Sequence, residues 1–342
     1  MESIFQIDLP SIKEFLNLSG EPEFHAKQIW QGIYQNLYSD WDEFTTLSKD
    51  LRSILKNKYS INSLIPILTI NSPNKNTQKI LFHLSDGKPI ESVLMRSGKR
   101  ITLCLSTQSG CNMGCTFCAT GKMGLLRNLT SGEIVEQVIF FERILIKRSQ
   151  RLTNIVFMGM GEPFHNYENL KNALTQLNNA DGLNMGARRF TVSTIGLIPQ
   201  IIKFAQEFPQ VNLAISLHAP SNILRSSLVP MNNHFPLENL ISTCREYIKL
   251  TNRRISFEYV LIKGINDSTK QAEELISLVK GLLCHINLIP LNPIEKSQVM
   301  SSTVNQIQAF YQTLTSAGIP TTIRKSQGAE IKAGCGQLAG KE

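Results

Sequence analysis

Six short apolar runs, each followed by a helical pattern, constrain this chain more than any other feature. They are TLCLS (102–106), NIVFMG (154–159), RFTVST (189–194), NLAISLH (212–218), ISFEYVLI (255–262) and HINLIPLN (285–292). Between them lie helix signals. Thr130-x-x-Glu133 reads as a capping box, and Ile134, Val135, Val138, Phe141 and Leu145 follow on one face. Residues 267–280 and 301–317 show the same periodicity. Strand–helix units in series predict parallel pairing, because each helical crossover returns the chain to the same end of the sheet. The expected fold is therefore α/β, with a parallel sheet that is open or curled as a partial barrel. In such folds the functional groups gather at the C-terminal ends of the strands.

Two segments precede this series. Residues 1–65 read as helical, with Phe24, Ala26, Ile29, Trp30 and Ile33 at the spacing of one apolar face. Residues 66–100 read as a β-hairpin linker: KILFHL, the turn Asp86-Gly87, then PIESVLM. Ser97-Gly98 turns the chain into the first strand of the series, so residues 101–342 form the expected core.

Apolar residues make up 42% of the chain, enough to build a core rather than a disordered segment. Lys and Arg number 35 against 27 Asp and Glu, a net charge of +8 that favours a polyanionic partner. No apolar run reaches the ~18 residues of a membrane span. The start, MESIFQIDLPSIKEF, lacks the apolar stretch of a secretory signal. A cytoplasmic protein with reduced cysteines is expected, with no membrane partner.

Four of the seven cysteines fall within fifteen residues: Cys104, Cys111, Cys115 and Cys118. The last three have the spacing C-x3-C-x2-C directly after the first strand of the series. Three thiolates on one loop can hold three irons of a 4Fe–4S cluster and leave the fourth open to a ligand. A zinc site with a missing ligand is the competing reading, although zinc sites usually pair C-x2-C units and no second pair exists. Other polar residues recur at strand ends. Gly161 and Glu162 lie in GMGEP, Ser193 in VSTIG, Ser216, Leu217 and His218 in AISLHAP, and Asn292 in NLIPLNP. Singly, each reads as a cap or a core polar group. At the tops of successive strands they can face one cavity. Cys104, by itself, reads equally as a buried strand residue, Cys335 as an incidental thiol, and Glu91 as the polar face of a strand.

Together these motifs resemble the RlmN/Cfr-type radical-SAM methyltransferases of 23S rRNA. The likeness spans about residue 20 to Gly340 and includes FHAKQIW, LSTQSGC, CNMGCTFCATG, NLTSGEI, INDS and AGCGQLAG. It implies a partial six-unit (βα) barrel of the radical-SAM type, with a small N-terminal accessory domain that binds RNA. It implies a 4Fe–4S cluster on Cys111, Cys115 and Cys118, and S-adenosylmethionine (SAM) bound by Gly161, Glu162, Ser193, Ser216, Leu217, His218 and Asn292. Cys335 is implied to carry a methyl group, Cys104 to resolve it through a transient disulfide, and Glu91 to accept a proton. The implied target is C2 of adenosine 2503 in 23S rRNA, in the peptidyl-transferase region, with adenosine 37 of some tRNAs. Two SAM molecules are consumed per turnover. C8 of the same adenosine is the alternative; Pro163 in GMGEP favours C2. A low-potential electron donor such as flavodoxin or ferredoxin, and a monomeric state, are further implications. A non-methylating radical-SAM enzyme or an RNA-binding protein stapled by an Fe–S cluster leaves Cys335 and Cys104, or GMGEP and SLHAP, without a use. Phe164-His165 departs from the family, which more often has aliphatic residues there. Cys244 and Cys284 are expected to be packing residues.

Overall fold

The computed structural model describes residues 1–294, 299–324 and 326–341. The chain begins with a short parallel pair, β1 (Glu2–Ser3) beside β2 (Tyr59–Ser60), which brackets α1 (Leu9–Leu18), α2 (Phe24–Tyr34) and α3 (Lys49–Lys58). Local chemistry sets the helix starts. The Asp8 side chain accepts from the Ser11 N–H, and the Ser48 hydroxyl accepts from the Leu51 N–H. Ala26, Ile29, Trp30 and Ile33 are buried as the periodicity requires. Phe24 is not: it sits at the first position of α2, 62% exposed, edge-on to the His25 ring.

β3 (Ile65–Asn71), β4 (Thr77–His83), β5 (Pro89–Ser97) and β6 (Arg100–Cys104) form an antiparallel meander. The hairpin expected around Asp86-Gly87 is β4–β5. β3 was not legible, because Ile65 and Ile67 lie exposed on an edge strand where burial imposes no alternation. These strands are part of the main sheet. Next comes a separate antiparallel pair, β7 (Gln108–Cys111) with β8 (Gly124–Asn128), flanking α4 (Ala119–Met123).

The parallel series then runs β9 (Asn154–Phe157), β10 (Phe190–Thr194), β11 (Asn212–Ser216), β12 (Ile255–Leu261), β13 (Cys284–Pro290) and β14 (Thr321–Ile323). β9 pairs with β6, and each later strand pairs with its predecessor, so strand order follows chain order across an open ten-stranded sheet. The connections contain α5 (Ser131–Ile146), α6 (Tyr167–Asn178), α7 (Ile198–Glu207), α8 (Asn222–Leu228), α9 (Leu237–Thr251), α10 (Thr269–Val279) and α11 (Val304–Ser316). Sequential order with crossovers of one hand keeps the helices on one face, the winding of a partial barrel. β12 shows the two faces. Phe257, Tyr259 and Leu261 are fully buried, with Tyr259 against Phe310 of α11. Ser256, Glu258 and Val260 line cavities on the other side.

The N-terminal helices share their apolar core with the α/β layer. α5 joins the two: Arg143 donates to the Leu37 carbonyl, and buried Glu136 accepts from the Leu64 N–H. The capping box at Thr130 and Glu133 forms as expected. Among the described residues, no helix is long and apolar enough to cross a membrane.

Candidate active site

The loop holding Cys111, Cys115 and Cys118 is built from β7, a turn and the start of α4. Gly110 has φ 75°, and a Cβ there would lie 1.9 Å from the Gly124 carbonyl oxygen, so only glycine lets β7 and β8 close. The Thr116 N–H donates to the Leu228 carbonyl and fastens the loop to the end of α8. The three thiols face one cavity. Burial pushes Cys111 up to about 12, and raises Cys115 and Cys118 as well. Holding them as thiolates there calls for a cationic centre. Among the described residues, no three Cys, His, Asp or Glu side chains converge on a point that one ion could occupy. A cubane cluster instead offers each thiolate its own iron, so the donor set suits it better than a single zinc.

GMGEP forms the wall beside this loop. Gly161 has φ 104°, and a Cβ there would lie 2.5 Å from Cβ of Gln108, so the turn can press against β7. The Gln108 Oε1 accepts from the Glu162 N–H. Glu162 is buried, and each carboxylate oxygen already accepts a main-chain N–H, from Phe164 and from Ile195. Burial pushes its carboxyl up to about 7. A bound ammonium would offset that. The Phe164 ring packs into the core against Tyr167 and Phe204, and His165 Nδ1 meets Gln108 Nε2 at 3.0 Å, so the departure from the family alters support, not lining.

Ser193 and Ser216 extend the same wall, with hydroxyls 3.4 Å apart. His218 follows in the left-handed region, φ 63°. Its Nδ1 accepts from the Val260 N–H, and burial pushes its pKa down to about 3, so the ring is neutral with its proton on Nε2. Leu217, between them, points away from the cavity into the core; only its main chain is engaged, through Glu258 and Arg225.

Cys335 comes to this cavity from the far end of the chain. Asn292, just after β13, donates to its carbonyl at 3.0 Å. The Ala119 N–H donates to the Gly336 carbonyl, and the Thr120 hydroxyl to the Leu338 carbonyl, which strap the tail across the start of α4. Cys104, at the end of β6, shares a small apolar cluster with Ala333 and Leu338 of this tail. Both cysteines line a second cavity of about 1070 Å³. Burial, with Cys335 next in effect, pushes the Cys104 thiol up to about 12. All seven cysteines are free thiols, so the Cys104–Cys335 disulfide is not formed here.

Glu91 lies outside both cavities. It is 1% exposed, 2.7 Å from Lys79 Nζ, and its Oε2 accepts from the Ala339 and Gly340 N–H groups. Lys79 also donates to the Lys332 carbonyl. This buried pair therefore grips the Cys335 segment on either side. Cys244 and Cys284 are buried in the core.

Two groups of residues escaped sequence reasoning. Arg100, Arg188, Arg253 and Arg254 line the large cavity away from the cysteines. Their signal was position: each lies at the start of, or just before, a parallel strand, hence at one end of the sheet. Glu258 and Arg324 line both cavities between the cluster loop and that end. Lys27, the basic residue of the FHAKQIW segment in α2, is exposed and 3.6 Å from Asp181.

Residues 3–61 match the family model for the ribosomal RNA large subunit methyltransferase N-terminal domain, and residues 105–276 match the radical SAM superfamily. A probable dual-specificity RNA methyltransferase RlmN from Geobacillus kaustophilus is 46% identical over 342 residues, covering 100% of this chain and 93% of the relative. One from Clostridium novyi is 44% identical over 338 residues, covering 99% and 98%. The crystal structure of a radical SAM methyltransferase from Sphaerobacter thermophilus superposes with a TM-score of 0.98 at 47% identity, over the whole of both chains. Likeness of this extent brings with it the cofactors that the cysteine loop suits, a 4Fe–4S cluster and SAM. The chain belongs to the RlmN family of radical-SAM RNA methyltransferases.

Proposed function

We propose that this enzyme methylates C2 of adenosine 2503 in 23S rRNA, and adenosine 37 of some tRNAs, through a methyl group carried on Cys335. The observation that carries this reading is that Cys335 and Cys104 line one cavity beside the three-cysteine loop. When bound, the cluster and SAM supply a methyl group and a 5′-deoxyadenosyl radical. The protein's own part is positional and nucleophilic. Cys111, Cys115 and Cys118 hold the cluster. Gly161 gives SAM close access to the main chain, Glu162 receives its ammonium, and Ser193, Ser216, His218 and Asn292 complete the pocket. Cys335 Sγ holds the methyl carbon that becomes bonded to the base. Cys104, as thiolate, then attacks Cys335 Sγ; the sulfur–carbon bond breaks with its electron pair passing to the carbon, which takes up a proton and becomes the methyl group of the base, while a Cys104–Cys335 disulfide forms that an external low-potential donor reduces. Glu91 reaches a proton only if its bonds to the 339–340 main chain open, so its first task in this geometry is to hold the tail.

C2 is an electron-poor aromatic carbon that cannot attack a sulfonium methyl, which is why a protein-bound methyl and a radical are needed. Pro163, the residue favouring C2 over C8, is buried at the start of the turn after Glu162. Peptide mass spectrometry should find a methyl on Cys335, and mapping of rRNA and tRNA from cells with and without the gene should find 2-methyladenosine. An unmethylated Cys335 in active protein, or 8-methyladenosine, would overturn the reading.

A further inference from the structure

Glu258 sits where the two cavities meet. Its side chain and that of Arg324 line both, as does Cys335. Glu258 is 4% exposed. Oε1 accepts from Asn287 Nδ2 at 2.8 Å, but Oε2 has no hydrogen-bond partner among the described residues. The cation facing it, Arg324 Nη1, is 3.9 Å away, beyond hydrogen-bond reach, and is 3.6 Å from Met158 Sδ. A buried carboxylate oxygen that accepts no hydrogen bond is costly, and native structures rarely leave one without a use.

In its ionised form, which Arg324 favours against the upward pull of burial, the carboxyl only accepts hydrogen bonds, so a partner for Oε2 brings an N–H or O–H. A phosphate would be repelled, and it has arginines at the other end of the large cavity. Beside Oε2, Arg324 presents a donor. An acceptor next to a donor complements the edge of adenine, where the exocyclic amine lies next to a ring nitrogen. An adenine splayed out of single-stranded RNA can reach such a site, because its edges are free.

We propose that Glu258 reads the target base: its free Oε2 accepts a hydrogen bond from the adenine exocyclic amine, and Arg324 donates to the adjacent ring nitrogen. This rests on the adenosine-methyltransferase reading above and names the residues that select the base. Glu258 is thereby a substrate-contacting residue, and Asn287 positions it through Oε1.

The test uses reconstituted holoenzyme and RNA hairpins that carry, at the target position, adenosine, purine riboside or N6,N6-dimethyladenosine. The two analogues remove the amine donor and keep the ring. Wild-type enzyme is expected to bind the adenosine hairpin about tenfold or more tighter than either analogue, because a site built around a hydrogen bond penalises a ligand lacking it. In Glu258→Ala the preference should shrink to about twofold or less, while Cys335 still acquires its methyl. Wild-type enzyme that methylates the adenosine hairpin yet binds the analogues equally well would overturn this inference alone. So would a Glu258→Ala enzyme that keeps the full preference. The wild-type comparison is decisive even if the variant folds poorly. Failure of wild-type enzyme to methylate the adenosine hairpin at all would remove the underlying reading, and this inference with it.

Discussion

Asn292 Nδ2 donates a 3.0 Å hydrogen bond to the main-chain carbonyl of Cys335. The bond joins the end of β13 to a tail that begins after the last strand of the sheet. Gly334 makes the approach feasible, since a Cβ there would lie 2.6 Å from the same nitrogen. One buried hydrogen bond is worth about 1 kcal/mol, more if its partner is left unsatisfied. Asn292→Ala should therefore lower methyl occupancy of Cys335 severalfold, to about tenfold, by peptide mass spectrometry. Iron content should stay at the wild-type level. Loss of iron with unchanged methylation would show that Asn292 supports the cluster loop instead.

Lys79 and Glu91 form a buried ion pair, with side chains 8% and 1% exposed. Removing one partner of such a pair typically costs ~3–5 kcal/mol, because the other charge stays buried alone. Lys79→Met should shift the urea midpoint down accordingly, and Lys79→Met with Glu91→Gln should recover part of the loss. A single variant as stable as wild type would mean that the pair does not hold the tail.

Release of methylated RNA should depend on pH through Cys104. Its folded pKa of about 12 lies above the ordinary 9.0, so at neutral pH the thiol is protonated. The thiolate fraction, and with it the release rate, should rise nearly tenfold per unit between about pH 7 and 9, without a plateau. Arg324 opposes the shift, so Arg324→Met should slow release further. The same sign applies to stability: the folded state holds this proton more tightly, so stability falls as pH rises past about 9. A release rate flat with pH would assign the rate-limiting step elsewhere.

The arginine end of the large cavity should grip phosphates. Arg254 is exposed; Arg253 is half-buried, with its guanidinium donating to Asn212 Oδ1 and its Nε unpaired among the described residues. Arg253→Ala with Arg254→Ala should weaken RNA binding and reduce the magnitude of the log–log salt slope by about 0.7–0.9 for each phosphate left without its arginine. Lys27→Ala, whose charge already faces Asp181, should change that slope less. The opposite ranking would place docking on the N-terminal helices.

Much of this was legible in the residue pattern. All six parallel strands expected from their apolar runs form within two residues of their expected limits at either end, because each buries an apolar face against the core. The exceptions have physical causes. β14 spans three residues, too few to show a pattern, and β3 is an exposed edge. Phe24 had the right spacing but lies in the first turn of α2, beyond the reach of the core. The cluster loop was visible because ligand spacing is local. The union of Cys104 with Cys335 came only through the family resemblance, since the spacing of the two residues does not show a tail returning across α4. Leu217 and Glu91 matched by motif, yet their side chains face the core and the tail rather than the cavities. Glu258 hid in a strand as an ordinary polar position; only its unpaired oxygen distinguishes it.

The central claim is that Cys335 becomes covalently joined to RNA and that Cys104 frees it. The most direct test is a denaturing gel of Cys104→Ala purified from cells. A methyl can still load onto Cys335 and bond to the base, but no thiolate attacks the Cys335 sulfur. An RNase-sensitive shift in the protein band is expected in Cys104→Ala and not in the variant that also carries Cys335→Ala. Cys104→Ala protein that turns over normally, with no RNA attached, would contradict it.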